Sequence, residues 1–223
     1  MTTALTSPGT ARGCEGVFVG RVQPVIVVVA ALKGGVGKTT TSIYLSAIAG
    51  PDKRSVTLVD ADPQASAADW VANAADDVLR ALEVVEAPTE RLLTKVLDRV
   101  DADDIAIVDT PPGHERLLAK ALDLADAVVI PTRVGGVETV RVEAVLDMVP
   151  KRLPAGLVIA SARTFTRDYQ ETVAMWVEAG VPVWGAVPER VTIASGPDGW
   201  LSVEGLDAYR EVWRRLRRAA RGQ

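Results

Sequence analysis

Ala30-Ala31-Leu32-Lys33-Gly34-Gly35-Val36-Gly37-Lys38-Thr39-Thr40 follows an unbroken apolar run, Val25 to Ala31, and opens into a segment of helical character. An apolar run without alternation is expected of a parallel strand buried on both faces. Glycines at 34, 35 and 37 let backbone N–H groups turn inward with no Cβ in the way, and the start of a helix adds its positive end. The stretch therefore predicts a phosphate-binding loop between a strand and a helix, with Gly34, Gly35, Val36, Gly37, Lys38, Thr39 and Thr40 around a polyphosphate. In that logic Lys38 reaches the β- and γ-phosphates and the Thr39 hydroxyl takes a place on Mg²⁺. The usual motif has its first glycine where this chain has Leu32, and a second lysine, Lys33, follows it.

Working outward, Ser55 to Val59 reads as a second buried strand that ends in Asp60-Ala61-Asp62-Pro63-Gln64. Ligands of open parallel sheets lie at the carboxyl ends of the strands, so Asp60 and Asp62 are expected beside the phosphates. A long helix over 65–79, a short strand over 82–85 and a helix over 88–100 come next. Ile105-Ala106-Ile107-Val108-Asp109 is then an apolar strand ending in a carboxylate, followed by Thr110-Pro111-Pro112-Gly113. That is the Walker B arrangement, in which the aspartate holds Mg²⁺ through water or orients the attacking water. Further strands over 127–131, 157–161 and 181–186 alternate with helices over 137–149 and 169–179. The fold class expected is α/β, a mainly parallel twisted sheet with helices on both faces.

The 223 residues are 48% hydrophobic, enough to bury one full core, so 23–223 is read as a single domain. Residues 1–22 are rich in Thr, Ser, Gly and Ala and are read as a flexible lead-in, in which Val17-Phe18-Val19 fits an edge strand or none. A net charge of −4 argues against a generally basic nucleic-acid binder and leaves only a local patch for such contacts. Cys14 is the single cysteine and His114 the single histidine, which excludes an internal disulfide and any multi-thiolate or histidine-rich metal site. No apolar stretch reaches the roughly 18 residues of a membrane span.

The last helix, about 206–220, separates into two faces at about 100° per residue. Arg210, Arg214, Arg217, Arg218 and Arg221 share one arc, and Tyr209, Val212, Trp213, Leu216 and Ala220 the other. From Ala208 onward six arginines face one acid, a segment charge of +5 in a chain whose total is −4. Such a face fits nucleic-acid phosphates, a membrane interface, or a docked helix with a solvated side. The loop 185–190 fits either a base-contacting surface or an ordinary connection.

With Lys33 through Thr40, Asp60-Ala61-Asp62-Pro63-Gln64 and Asp109-Thr110-Pro111-Pro112-Gly113 in that order, the chain resembles the ParA/MinD family of deviant Walker A ATPases. The resemblance runs from about Val25 to about Arg218. With no DNA-reading domain ahead of the loop, it looks most like the short ParA-like plasmid or chromosome partition ATPases, and Leu32 favours that branch over the membrane branch. What the resemblance implies is a homodimer formed on ATP binding, with two nucleotides held face to face. It gives Lys33 the role of crossing to the partner's phosphates and Lys38 that of the ordinary loop lysine. Thr39, Asp60 and Asp109 become metal-site residues, and Asp62 positions the hydrolytic water. Pro188 matches the base-side proline, and Arg163 and Arg167 stand where partition ATPases often contact base or DNA. The implied activity is slow, partner-stimulated ATP hydrolysis with ATP and Mg²⁺. The implied partners are non-specific DNA and a centromere-binding ParB-like adaptor, in a cytoplasmic, nucleoid-associated setting. A MinD-like membrane-surface ATPase and a positioner of a protein cargo share the same motifs.

Overall fold

The protein is described from a computed structural model over residues 26–50, 55–101, 103–194 and 200–222. The lead-in 1–22 with Cys14 and Val17-Phe18-Val19, together with Val25 and Pro51-Asp52, lies outside the described residues. Strand and helix alternate along the chain. β1 (Ile26–Val29) leads through the glycine loop into α1 (Lys38–Ala49), then β2 (Val56–Asp60), α2 (Ser66–Ala72), α3 (Asp77–Arg80), β3 (Glu83–Glu86), α4 (Glu90–Leu97) and β4 (Ile105–Asp109). α5 (Glu115–Leu124), β5 (Ala127–Thr132), α6 (Gly136–Met148), β6 (Ala155–Ala162), α7 (Arg167–Glu178), β7 (Val183–Pro188), the short α8 (Val191–Ala194) and α9 (Val203–Ala220) follow.

The strands of the described residues form one sheet in the order β3-β2-β4-β1-β5-β6-β7, and each pairing among them is parallel. β1 is central, with later strands laid down on both of its sides, so the crevice of this sheet opens at its carboxyl end. Register fixes what arrives there. Val29 of β1 and Asp60 of β2 both pair with Asp109 of β4, which sets both carboxylates level with the start of the glycine loop.

Alternation along the strands divides the core in two. Val27 and Val29 of β1 join Leu58, Ile107, Val129 and Trp184 under α1, α2 and α9, where Ile43, Leu45, Trp70, Tyr209, Val212 and Leu216 are buried. Ile26 and Val28 join Val59, Val108, Val128 and Leu157 under α4 to α7, against Leu93, Leu118, Leu122, Val145 and Trp176. Each fully buried Leu, Ile or Val contributes about 1.5–3 kcal/mol. The helix of greatest functional interest, α9, lies on the first side.

The single helix expected over 65–79 is instead two short ones. α2 ends at Asn73, whose Nδ2 donates to the Asp69 carbonyl at 2.8 Å, and Asp76 accepts from the Val78 amide at 2.9 Å to start α3. Short polar side chains here compete with the helix for backbone partners. α5 was not foreseen after the paired prolines, and α9 begins at Val203 because Ser202 caps it, accepting from the Gly205 amide at 3.0 Å.

Candidate functional site

The glycine loop takes up the backbone that its composition requires. Gly35 has φ +76° and Gly37 φ +96°, conformations that a side chain disfavours. A Cβ on Gly37 would also stand 3.4 Å from that of Ala160. Gly37 caps α1 without a side-chain hydrogen bond, and no acid occupies the first turn, so the amide end of α1 faces the crevice.

Above this loop lies a cleft of about 380 Å³, bordered by Gly34, Gly35, Gly37, Lys38, Thr39 and Thr40 on one side and Asp62, Gln64 and Pro112 on another. Val187, Pro188, Ile193 and Tyr209 supply an apolar wall, which places Pro188 on the cleft. Arg133 and Arg190 also line it; Arg190 ends the 185–190 segment, and no sequence motif marked Arg133. Ser161, another lining residue, has φ +52° where the β6–β7 register shifts, a strained backbone at the cleft.

The two lysines of the loop do different things. Lys38 is 7% exposed, and its ammonium donates to the Lys33 carbonyl at 2.8 Å, closing the loop on itself. Burial pulls its pKa below the usual value, with Asp109 and Asp62 acting against that shift. Lys33 does not line the cleft. Its Nζ lies 2.6 Å from Oε1 of Glu138 on α6, and Nη1 of Arg141 approaches the same oxygen at 3.2 Å.

Behind the loop, Asp109 is 1% exposed. Its Oδ2 accepts from the Thr39 hydroxyl at 2.8 Å, and the Ser42 hydroxyl stands 3.1 Å from Oδ1. Burial raises this carboxyl to about 7; the Thr39 bond lowers it and the neighbouring Asp60 raises it further. A hydroxyl and a carboxylate meeting beside a helix start form an oxygen donor set that suits a hard cation such as Mg²⁺. Ser42 was missed by the sequence reading, although its spacing of three from Thr39 puts both on one side of α1.

Asp60, expected at the metal site, has its oxygens engaged by backbone amides in this structure. It is 0% exposed, with its oxygens accepting from the amides of Asp62 at 3.0 Å, Ala67 at 2.9 Å and Ala68 at 3.0 Å. The carboxylate thus caps α2, whose own N-cap, Ala65, has no side chain to do so, and it shapes the turn that presents Asp62. Burial raises its pKa while those amides lower it. Asp62 stays half-buried on the cleft and accepts from the Gln64 amide at 2.9 Å.

The arginines of α9 are divided in their contacts. Arg210 pairs with Asp207 at 2.6 Å, Arg214 pairs with Glu211, and Arg215 bonds both Glu211 at 2.7 Å and the Val183 carbonyl at 2.8 Å. Arg210, Arg214, Arg218 and Arg221 are exposed and Arg217 is half-buried. The opposite side is inside the protein: Tyr209, Val212, Trp213 and Leu216 are each no more than 5% exposed. Arg163 and Arg167 pair on the surface with Glu189 and Glu171.

A glycine loop between a central parallel strand and a helix, with a buried lysine inside it and a carboxylate at the end of the adjoining strand, defines a P-loop nucleotide-binding domain. Residues 27–199 match the family model described as the CobQ/CobB/MinD/ParA nucleotide binding domain, and the chain belongs to that family. It is 39% identical over 110 residues to the maintenance of carboxysome distribution protein A of Gloeobacter kilaueensis, covering 49% of each chain. It is 36% identical over 109 residues to the protein ParA of Rhizobium radiobacter, covering 48% of each. These matches span about half the length of those relatives. Among solved structures, the septum site-determining protein MinD of Pyrococcus horikoshii, complexed with Mg-ADP, superposes with a TM-score of 0.70 at 21% identity, over 88% of this chain and 97% of that one. At that identity the likeness establishes the fold. Among the described residues no helix is long and apolar enough to cross a membrane.

Proposed function

We propose that this chain is a ParA-like partition ATPase, in which two copies close on two molecules of ATP, bind DNA non-specifically and release it after hydrolysis. The observation that carries the reading is the separation of the two lysines. Lys38 is buried under its own loop, while Lys33, 44% exposed at its side chain, pairs with Glu138 and does not line the cleft. A cation outside its own nucleotide site, once released from Glu138, can serve the site of a second copy.

The groups around the cleft fit ATP with Mg²⁺. The loop amides of 34–40 and the Lys38 ammonium take the phosphates, and Pro188 with Val187 and Ile193 forms the base-side wall. Thr39, bonded to Asp109, would hold the Mg²⁺. That ion, when bound, neutralises charge on the β- and γ-phosphates. Asp62 orients the attacking water on the open side, Asp60 keeps the Asp62 turn in shape, and Lys33 of each copy adds positive charge where the transition state gathers negative charge. Turnover is slow until a centromere-binding ParB-like adaptor stimulates it. The exposed arginines of α9, Arg210, Arg214, Arg218 and Arg221, together with Arg217, supply the phosphate contacts, and the protein works on the nucleoid in the cytoplasm.

A protein cargo is the second reading, favoured by the relative named for carboxysome distribution. A membrane role is disfavoured because an interfacial helix needs its apolar face free, and that of α9 is buried. Gel shifts on a random duplex test the proposal. Binding is expected with ATP and Mg²⁺ and not with ADP, and should weaken steeply with salt as counterions are released. Equal binding with ATP, with ADP and without nucleotide would sink the switch.

A further inference from the structure

Thr41 follows directly on the two threonines of the loop, and it is fully buried. Its hydroxyl lies 2.9 Å from that of Tyr209, which is in the first half of α9 and 1% exposed. The Tyr209 ring stacks on Tyr44, one helical turn beyond Thr41, with centroids 5.1 Å apart and planes at 23°. The Tyr44 hydroxyl in turn donates to the Ser202 hydroxyl at 3.3 Å and accepts from the Ser202 amide at 3.0 Å, at the residue that caps α9. The fit is close: a Cβ on Gly205 would stand 2.5 Å from the Tyr44 ring. Towards its far end, α9 is held to β7 instead, with Val212 filling the space over Gly185 and Arg215 bonded to the Val183 carbonyl. β7 ends in Val187 and Pro188, which line the cleft, as does Tyr209 itself. One helix is therefore fastened to both walls of the cleft, to α1 on the phosphate side and to β7 on the apolar side, while its outer face carries the arginines.

We propose that Tyr209 is the positioning residue that couples occupancy of the glycine loop to the arginine face of α9. Phosphates gathered by the loop settle the first turn of α1. Thr41 belongs to that turn, and its hydroxyl pair with Tyr209 sits where neither group can turn to water, so parting them leaves two buried groups unpaired. α9 consequently follows α1, and the stacked tyrosines carry the shift to its capped end. The coupling works in both directions, as linkage requires: whatever binds the arginine face alters the hold on nucleotide. The inference rests on the reading that the cleft binds ATP.

The test pairs equilibrium dialysis of ATP with amide hydrogen exchange of the helix 203–220, on the wild-type chain, Tyr209→Phe, Thr41→Val and the double variant. In the wild type, saturating Mg-ATP should slow exchange in α9 about 10-fold. Tyr209→Phe keeps the ring stack and removes only the hydroxyl, so at ATP concentrations that dialysis shows to be saturating for each protein, the nucleotide-dependent protection of α9 disappears while that of the loop and α1 remains. Thr41→Val should give the same result from the other side, and the double variant should be no worse than either. A variant of lower melting temperature that retains the ATP-dependent protection of α9 would assign Tyr209 a packing role and overturn the proposal. Wild-type protein that binds ATP with no change in α9 exchange would overturn the coupling alone, and wild-type protein that fails to bind ATP would overturn the nucleotide reading with it.

Discussion

Glu138→Gln is expected to strengthen ATP-dependent dimerisation. In the monomer the Lys33 ammonium is held 2.6 Å from a Glu138 carboxylate that is only 11% exposed, and reaching a second copy requires it to leave. Because Lys33 itself is 44% exposed, solvent screens the pair, and parting it costs about 1 kcal/mol rather than the several of a buried pair. A symmetric dimer releases two such lysines, so the restraint totals about 2 kcal/mol, or roughly 30-fold in the dimer dissociation constant. Glutamine keeps the shape and an acceptor for Arg141 while removing the charge. Sedimentation velocity over a concentration series with a slowly hydrolysed ATP analogue reads the change directly. A dimer dissociation constant that stays the same or rises in the variant would refute the claim that Glu138 restrains Lys33.

Other perturbations reach other parts of the molecule. Asp109 carries its proton up to about pH 7 in the nucleotide-free fold, whereas the unfolded chain releases it near 3.8. Its contribution to stability is thus complete below about pH 4 and is lost as the pH rises to about 7, by roughly 4 kcal/mol at most. Urea unfolding at pH 5 and pH 8 should show wild-type protein losing more stability than Asp109→Asn, and equal losses would remove Asp109 as the source. Gly156→Ala should destabilise by about 3 kcal/mol, since the new methyl would lie 2.2 Å from the Trp184 ring in the core, and a thermal melt within a degree of wild type would contradict that packing. Changing Arg214, Arg217 and Arg218 together to Ala should abolish DNA binding in gel shifts and leave ATP binding intact; retained DNA binding would show that α9 only packs.

The central motif was legible because each of its residues answers a local demand. Gly35 and Gly37 occupy backbone that few other residues adopt, and an apolar strand ending at Asp109 delivers its carboxylate wherever the sheet is parallel. A mainly parallel sheet followed from the alternation of strand and helix for the same reason, and each pairing of the described strands is parallel. What sequence could not show were partnerships across long separations. Glu138 restraining Lys33 spans 105 residues and Tyr209 meeting Thr41 spans 168, and no local pattern announces either. The capping part played by Asp60 was not legible either, because an aspartate at a strand end suits a metal and a helix cap equally well by type, and the amides of Asp62, Ala67 and Ala68 come from the turn and helix that follow. The break between α2 and α3 was hidden by alanine-rich composition, which favours helix until Asn73 and Asp76 take backbone partners of their own. On α9 the wheel separated the faces correctly, but acids one turn away already hold part of the arginine charge.

The division of labour between the two loop lysines is tested most directly by the mass of Lys33→Ala in sedimentation equilibrium with saturating Mg-ATP, beside wild-type protein under the same conditions. The account expects two chains for wild type and one for the variant, with ATP still bound to both proteins by dialysis. A variant that dimerises as wild type does would contradict it.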